Sequence, residues 1–142
     1  AQPPATPAAT AVQTTITPLV TPPQSLTSAT WNLAWFDDTK GVWSKVAEGS
    51  NVTATFFAEG RVTGSGGCNG YSTDYQLGEP NRIWFRRPTV PDQHLCQTPV
   101  GVMSQESAFF TDLEWAETYS ITGRQLLIFD KMNRKILQFE AL

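Results

Sequence analysis

The sequence predicts a mainly β fold: a small antiparallel β-barrel or half-barrel with one α-helix at about residues 99–114, preceded by an extended tail. Three observations lead to this prediction. Apolar and polar residues alternate through most of the chain after Thr30, one stretch near residue 100 has helical spacing, and residues 1–29 are uncharged and rich in proline. The 142 residues suffice for one domain and a tail.

The tail, residues 1–29, contains six Pro, seven Thr and six Ala and no charged side chain. Because proline fixes φ and removes an amide donor, this Pro/Thr/Ala-rich composition is typical of an extended linker. A tail without fixed structure is the alternative. We expect the tail to act as a tether, or to be bound by a protein partner or by the surface of its own domain, which we place at residues 30–142.

The predicted strands are short runs whose side chains alternate between two faces. The first run places Trp31, Leu33 and Trp35 on one face. We interpret the five tryptophans as core residues rather than as a sugar-binding platform. Seven or eight such strands indicate a meander that curls into a barrel. The runs are residues 31–37, 42–46, 51–65 with a turn near residue 60, 71–77, 82–87, 118–122, 124–130 and 134–142.

One segment has the spacing of a helix instead. Met103, Phe110 and Leu113 recur at intervals that bring them to one helical face. Thr98 is a suitable N-cap and Pro99 a suitable first helical residue. We therefore predict that the helix begins at about residue 99 and covers one end or one face of the barrel.

The segment Gly60–Tyr75 holds five of the ten glycines, a density found in phosphate-binding loops and in sharply bent strands. A P-loop needs a Lys, and none lies between residues 45 and 131. A dinucleotide fingerprint needs a helix after the loop, but a strand-like run follows. We therefore interpret Gly64, Gly66 and Gly67 as the place where a strand bends or another backbone approaches closely.

The two cysteines, Cys68 and Cys96, are 28 positions apart. Their even number and the secreted-looking tail favour a disulfide, which the chain-entropy model values at ~3 kcal/mol. Two reduced cysteines are the alternative. They would allow His94, the one histidine, to act as a base for Cys96 or to join both cysteines around a metal. We predict the disulfide, with no metal and no cofactor.

Charge and carboxylate positions weigh against nucleic-acid binding and catalysis. The formal net charge of −3 provides no attraction to nucleic acid or to an anionic membrane. No run approaches the ~18 apolar residues of a membrane span, so we expect membrane contact only through an anchor or a partner. The adjacent Asp37 and Asp38 are ordinary turn formers rather than a catalytic pair. We predict that the protein is not an enzyme.

Several short patterns follow one another after the tail. A Trp-x-Leu strand starts at Trp31, and a G-x-G-G-C-N-x-Y segment runs from Gly64 to Tyr71. "TVPDQHLC" at 89–96 departs from a Thr-[Arg/Met]-x-x-Cys-type segment. Two longer patterns comprise Pro99, Met103, Gln105, Glu106, Phe109 and Leu113, and then Tyr119, Ile121, Gly123, Leu126, Ile128 and Asp130. On these residues the chain resembles the META domain family (HslJ-like) over about residues 31–140.

The resemblance implies a small barrel-like domain with one helix, exported by bacteria, in some members lipid-anchored, and without established catalytic activity. It carries over Cys68 and Cys96 as a bridge. Asn69 and Glu106 match characteristic polar positions of the family. Asn69 suits a left-handed turn position, and Glu106 on the helix would accept hydrogen bonds from amides of the glycine loop.

Composition and resemblance together predict a non-enzymatic, extracytoplasmic interaction or structural module in bacteria, whether periplasmic, at the cell surface or secreted. We expect a subunit or accessory protein of a cell-envelope assembly, with residues 1–29 as a tether or docking strand for a protein partner. Two alternatives remain open: a barrel that binds a small apolar ligand, and a protease-inhibitor-like binding protein.

Overall fold

The structure, a computed structural model, describes residues 25–142. The tail before Ser25, and with it the expected contact of that tail with a partner, lies outside the described residues. In chain order the elements are a 3-10 helix (Leu26–Ser28), β1 (Thr30–Asp37), β2 (Trp43–Lys45), β3 (Thr53–Phe57), β4 (Arg61–Ser65), β5 (Gly70–Gly78), β6 (Arg82–Phe85), α1 (Val102–Trp115), β7 (Thr118–Thr122), β8 (Gln125–Phe129) and β9 (Lys135–Ala141).

The strands form one antiparallel sheet in the order β2-β1-β3-β4-β5-β6-β7-β8-β9, and β1 also pairs with β9. As a result, β1 and β3 to β9 make a closed ring of eight strands. β2 pairs with the second half of β1 and lies outside this ring. The predicted mainly β fold with a single helix is confirmed, and the sheet is a closed barrel rather than a half-barrel.

The face predicted for Trp35 is wrong because β1 contains an irregularity. Trp31 and Leu33 are buried as predicted, but the pairing of β1 with β9 shifts between Leu33 and Trp35. The shift moves the following side chains by one position. Phe36 is therefore buried, and half-buried Trp35 stacks on Trp43 outside the core, with ring centroids 6.3 Å apart.

The core contains fewer tryptophans than predicted. Trp31 is fully buried, whereas Trp84 and Trp115 are 39% and 47% exposed. Aliphatic and phenylalanine side chains fill the barrel instead. Alternating side chains of the strands and the buried face of α1 supply them, so the interior is packed with protein. Besides Trp31, the largest fully buried side chains are Phe109, Phe139, Leu33, Ile83, Leu113, Leu126, Ile128, Ile136 and Leu137.

α1 begins three residues later than predicted. Thr98 and Pro99, the expected N-cap and first helical residue, belong to a turn in which Val102 N donates to Pro99 O (3.1 Å). Gly101, directly before the helix, has a φ of +85°. Because this left-handed value is incompatible with an α-helix, the helix cannot extend back through Gly101.

The barrel has two ends that are closed differently. At the helix end, α1 contacts β1, β6 and β9, and Phe109 packs edge-on against Tyr71 of β5 with centroids 5.5 Å apart. At the opposite end, which we call the Leu26 end, Leu26 is 4% exposed and its carbonyl accepts a hydrogen bond from Trp31 Nε1 (2.9 Å). Residues 25–29, part of the tail by composition, therefore pack on the barrel.

The contact between β6 and β7, which we call the β6–β7 seam, is the thinnest pairing in the ring. A single register pair, Arg82 with Thr118, joins the two strands, whereas five pairs join β7 to β8. Two more backbone hydrogen bonds flank this pair, one of them from Tyr119 N to Asn81 O (3.0 Å). Among the described strands, none pairs with β7 on this side beyond Tyr119.

Candidate functional site

The four-residue loop Gly66–Asn69 connects β4 to β5 at the helix end, where the sequence analysis placed a bend. Gly66 N donates to Asn69 O (2.8 Å) and closes the loop. A Cβ on Gly66 would lie 2.7 Å from Glu106 Cγ, and Gly67 has a φ of +115°. Only glycine meets both requirements without strain, so the sequence allows this loop to lie directly against α1.

Gly64 fulfils the second half of the prediction, a close backbone approach, and Asn69 lies in the turn with a different backbone conformation from the predicted one. Gly64 lies inside β4, where it pairs with Tyr71. A Cβ at Gly64 would overlap the carbonyl of Thr53 on β3, so close strand packing explains the glycine. Asn69 does not have the positive φ that we predicted. Its side chain explains its position instead.

The carboxylate of Glu106 joins α1 to the glycine loop, the contact expected from the sequence. Glu106 is only 4% exposed. Its Oε2 accepts hydrogen bonds from the amides of Cys68 (3.0 Å) and Asn69 (2.6 Å), and its Oε1 accepts one from Asn69 Nδ2 (2.8 Å). Since a buried carboxylate loses its hydration, these three donors replace the lost water contacts.

The side chain of Asn69 holds the long connection between β6 and α1. Besides its bond to Glu106, Asn69 Nδ2 donates to His94 O (3.1 Å), and Asn69 Oδ1 accepts from His94 N (2.7 Å). The two hydrogen bonds satisfy both the amide and the carbonyl of His94, as a neighbouring β-strand would, and so fix the backbone at this residue. The sequence analysis missed it, because one asparagine beside a glycine run does not reveal which distant backbone it will meet.

Cys68 and Cys96 form a disulfide with an S–S distance of 2.04 Å and a Cα–Cα distance of 5.9 Å. The predicted bridge is confirmed. It excludes Cys96 as a nucleophile paired with His94, and it excludes both thiols as metal ligands. Together with Asn69, the bridge fixes the middle of residues 90–101, which we call the stapled loop.

Gln105 makes a second link from α1 to the barrel, one that the sequence analysis did not find. Its side chain is 5% exposed; Oε1 accepts from Ala47 N (2.8 Å), and Nε2 donates to Ser50 Oγ (2.8 Å). A signal was present in the sequence. Gln105 and Glu106 follow Val102 by three and four residues, within the apolar stripe, where polar side chains need internal partners.

The stapled loop presents apolar side chains to solvent beside a groove. Leu95 and Val100 are 89% and 91% exposed. The groove, with a volume of 370 Å³, lies between the loop and α1, and Met103 and Phe110 contribute its apolar walls. The loop is therefore fixed at its centre while two of its large apolar side chains remain uncovered.

Asp112 is a buried carboxyl group on the inner face of α1. It is 0% exposed, and neither of its oxygens has a hydrogen-bond partner among the described residues. Burial, followed by repulsion from Asp37, raises the pKa of Asp112 to about 9. The backbone amide of Asp37 favours the ionised form but makes no hydrogen bond of ordinary geometry with it. The group is therefore mainly protonated at neutral pH.

The polar groups of the helix end are used to hold loops. Glu106 and Asn69 contact one another and the backbone, and His94 contributes its amide and carbonyl. Within residues 25–142, no three His, Cys, Asp or Glu side chains are grouped so as to hold a metal ion. The helix in that range is also too short for a membrane span.

Comparison with known proteins places this arrangement in a family. The sequence matches the META domain over residues 24–141, which include every described strand and the helix. The chain is a member of the META domain family. The predicted resemblance over about residues 31–140 is therefore confirmed. No curated protein matches this META domain significantly.

Solved structures share the fold of this META domain at low sequence identity. A protein from Burkholderia xenovorans, determined by NMR, has a TM-score of 0.65 and 19% identity, covering 92% of this chain and 98% of its own. A second NMR structure has a TM-score of 0.59 and 16% identity, with 82% and 91% coverage. A DUF4847 family protein from Bacteroides vulgatus has a TM-score of 0.56 and 16% identity, with 81% and 93% coverage.

Proposed function

We propose that this META domain is a non-enzymatic, extracytoplasmic interaction module, a subunit or accessory protein of a bacterial cell-envelope assembly. The stapled loop binds a protein partner, and the tail tethers the barrel to the rest of the assembly. One observation carries the proposal: Leu95 and Val100 are almost fully exposed on a loop that the disulfide and Asn69 hold in place.

A fixed loop with exposed apolar side chains suits protein binding for two reasons. Burial of Leu95 and Val100 against a partner would contribute roughly 1.5–3 kcal/mol for each side chain. Because the disulfide and Asn69 already order the loop, little further conformational entropy is lost on binding. Loops held on a rigid scaffold are a common location of interaction sites.

The disulfide supports the proposed compartment. Disulfides persist in oxidising surroundings such as the bacterial periplasm and the cell surface, and they are rare in the cytosol. The Cys68–Cys96 bridge is compatible with an extracytoplasmic location, as is the secreted-looking composition of the tail.

The absence of catalytic activity belongs to the proposal too. A nucleophile needs a base within hydrogen-bond reach. Cys96 is bonded to Cys68, and His94 lies exposed in the stapled loop. Glu106, the buried carboxylate nearest the groove, already accepts three hydrogen bonds. These groups support a binding surface better than they support a reaction.

Of the two alternatives, one gains support from a specific feature. An apolar ligand inside the barrel would have to displace Trp31, Phe109 and Phe139, which are fully buried and fill the interior. The packing therefore does not favour this alternative. A protease-inhibitor-like role is favoured by the stapled loop, because Leu95 is exposed immediately beside the disulfide. Titration of endopeptidases with the protein would reveal this role as stoichiometric inhibition with slow cleavage next to Leu95.

Site-specific photo-crosslinking in bacteria that export the full chain tests the main proposal. A crosslinking amino acid at Leu95 is expected to yield a discrete adduct with an envelope protein. The same amino acid at Met132, which is 68% exposed elsewhere on the surface, serves as the matched control. In the Cys68→Ser/Cys96→Ser variant the adduct at position 95 should weaken, because the loop is no longer fixed. Equal adducts at both positions, or none at position 95, would contradict the proposal.

A further inference from the structure

The β6–β7 seam leaves one edge of β7 open. Tyr119 uses its amide and its carbonyl on this side, both with Asn81, at 3.0 and 3.2 Å. Alternate residues of a strand direct their backbone groups to the same side, so Ile121 presents its amide and carbonyl there too. Among residues 25–142, no backbone or side-chain group pairs with Ile121 on that side. β7 thus offers a free strand position.

A groove with a volume of 560 Å³ lies beside this edge, at the Leu26 end. Leu77, Tyr119 and Ile121 contribute its apolar walls. Leu77 continues the inward-facing series of β5, in which Tyr71 and Tyr75 are buried, yet Leu77 is 50% exposed. Because inward-facing side chains of a small barrel are normally covered, the described residues leave this end of the barrel open at Leu77, although Leu26 packs there.

The charge of the groove indicates what would cover it. None of the ten residues that line it is charged, although 16% of the chain is. The longest uncharged stretch of the chain, residues 1–36, includes the whole tail, residues 1–29. The described structure begins at Ser25, and Ser25, Leu26 and Thr27 themselves line the groove. The described part of the chain therefore begins at the rim of the groove.

We propose that Leu19-Val20-Thr21 of the tail pairs with the free edge of β7 at Ile121 and places an apolar side chain in the groove. Pro22 and Pro23 have no amide to donate, so pairing must come from residues before them. Extended, residues 22–24 span about 9 Å at ~3.1 Å per residue, a short bridge back to Ser25. Because the segment is covalently attached to the barrel, its effective concentration is high and a weak contact suffices.

Amide hydrogen exchange of Ile121, measured by NMR on the full chain, tests this inference independently of the proposed function. The Leu19→Asp/Val20→Asp variant should exchange the Ile121 amide at least ~10-fold faster than the unchanged protein, because the pairing strand is lost. The Ala11→Asp/Val12→Asp variant is the matched control, with the same change farther along the tail, and should leave the rate unchanged. These substitutions lie outside the barrel, so the fold is preserved.

A change on the groove side should have the same result. Leu77→Asp is expected to accelerate exchange at Ile121 in the full chain, whereas Met132→Asp, also at an exposed apolar residue, is not. Three outcomes would overturn the proposal: fast exchange of the Ile121 amide in the unchanged protein, equal effects of the two tail variants, or protection that rises with protein concentration. The last would mean that a second copy, not the chain's own tail, covers the edge.

Discussion

The helix end and the β6–β7 seam differ in how firmly they are joined. At the helix end, a disulfide, the carboxylate of Glu106 and the amide side chains of Asn69 and Gln105 connect α1 and the stapled loop to the barrel. At the seam, the two strands are joined by one register pair with its two flanking backbone hydrogen bonds, by the contact of the Asn81 side chain with Tyr119 O, and by a partly exposed ion pair.

The difference shows that the buried polar groups of this small barrel are concentrated at the helix end. Buried hydrogen bonds to a charged group are stronger than neutral ones, and they become costly when one partner is removed. The helix end is therefore rigid and sensitive to substitution. The seam depends on exposed contacts of low energy, so it is the place where local opening is easiest.

Removal of the disulfide should cause the largest loss of unfolding free energy. It should also allow the helix end to open locally as easily as the seam. The Cys68→Ser/Cys96→Ser variant is expected to lose about 3–4 kcal/mol of unfolding free energy, since the cross-link closes a loop of 28 positions. Urea titration measures this loss. The intact protein under reducing conditions should show a similar loss, and a loss below ~1 kcal/mol would show that the polar contacts alone fix the loop.

Substitution of Glu106 should be next in size. Glu106→Ala leaves the amides of Cys68 and Asn69 and one N–H of the Asn69 side chain without an acceptor, at an expected cost of about 2–3 kcal/mol. Glu114→Ala on the same helix is the control. Glu114 pairs with Arg87 at the surface, so its loss should cost less than ~1 kcal/mol. Equal losses in urea unfolding would contradict the role of Glu106.

Asp112 makes the helix end sensitive to pH. Its pKa of about 9 in the folded state exceeds the ordinary value in the unfolded chain, so the folded state binds more protons between these values. Its contribution to stability should therefore fall as the pH rises from about 4 to about 9, and level off above. Asp112→Asn should flatten this slope in urea titrations at several pH values, and exposed Asp92→Asn should not.

The smallest effect is expected at the seam. Arg82→Gln removes the ion pair with Glu117 and the contact of the guanidinium with the Trp84 ring, 4.9 Å from its centroid. Because both side chains of the ion pair are more than 30% exposed, the loss of global stability should stay below ~1 kcal/mol. Hydrogen exchange at the Tyr119 amide should nevertheless accelerate. A global loss as large as that of Glu106→Ala would show that the seam is as firm as the helix end.

Local sequence patterns predicted most of the fold. Alternation located the strands, because each has one face in the core, as at Ile83 and Phe85 with Trp84 outside. The face of Trp35 was predicted wrongly, since the shift after Leu33 depends on the pairing with β9, at the other end of the chain. The start of α1 was wrong because the left-handed backbone of Gly101 follows from the turn before it.

The candidate site was predictable where family patterns or residue chemistry pointed to a partner. Cys68 and Cys96 could pair only with each other, and Glu106 was expected near the glycine loop. The contacts of Asn69 with His94 and of Gln105 with Ser50 were not predictable, because they join segments 25 and 55 positions apart. Asp112 could not be recognised either, since one acidic residue on a helix is usually exposed.

The closure of β1 against β9 has a consequence for the way in which the ring would come apart. The first and last strands of the ring, β1 and β9, are joined by five register pairs, and Leu142 N donates to Thr30 O (2.9 Å). This closure is therefore firm. The ring is thinnest in mid-chain, across the gap bridged by the stapled loop and α1. An opening barrel would therefore separate first between β6 and β7, while the stapled loop and α1 keep these two strands connected along the chain. The disulfide ties this connection to the loop before β5 and so limits how far the two strands can move apart.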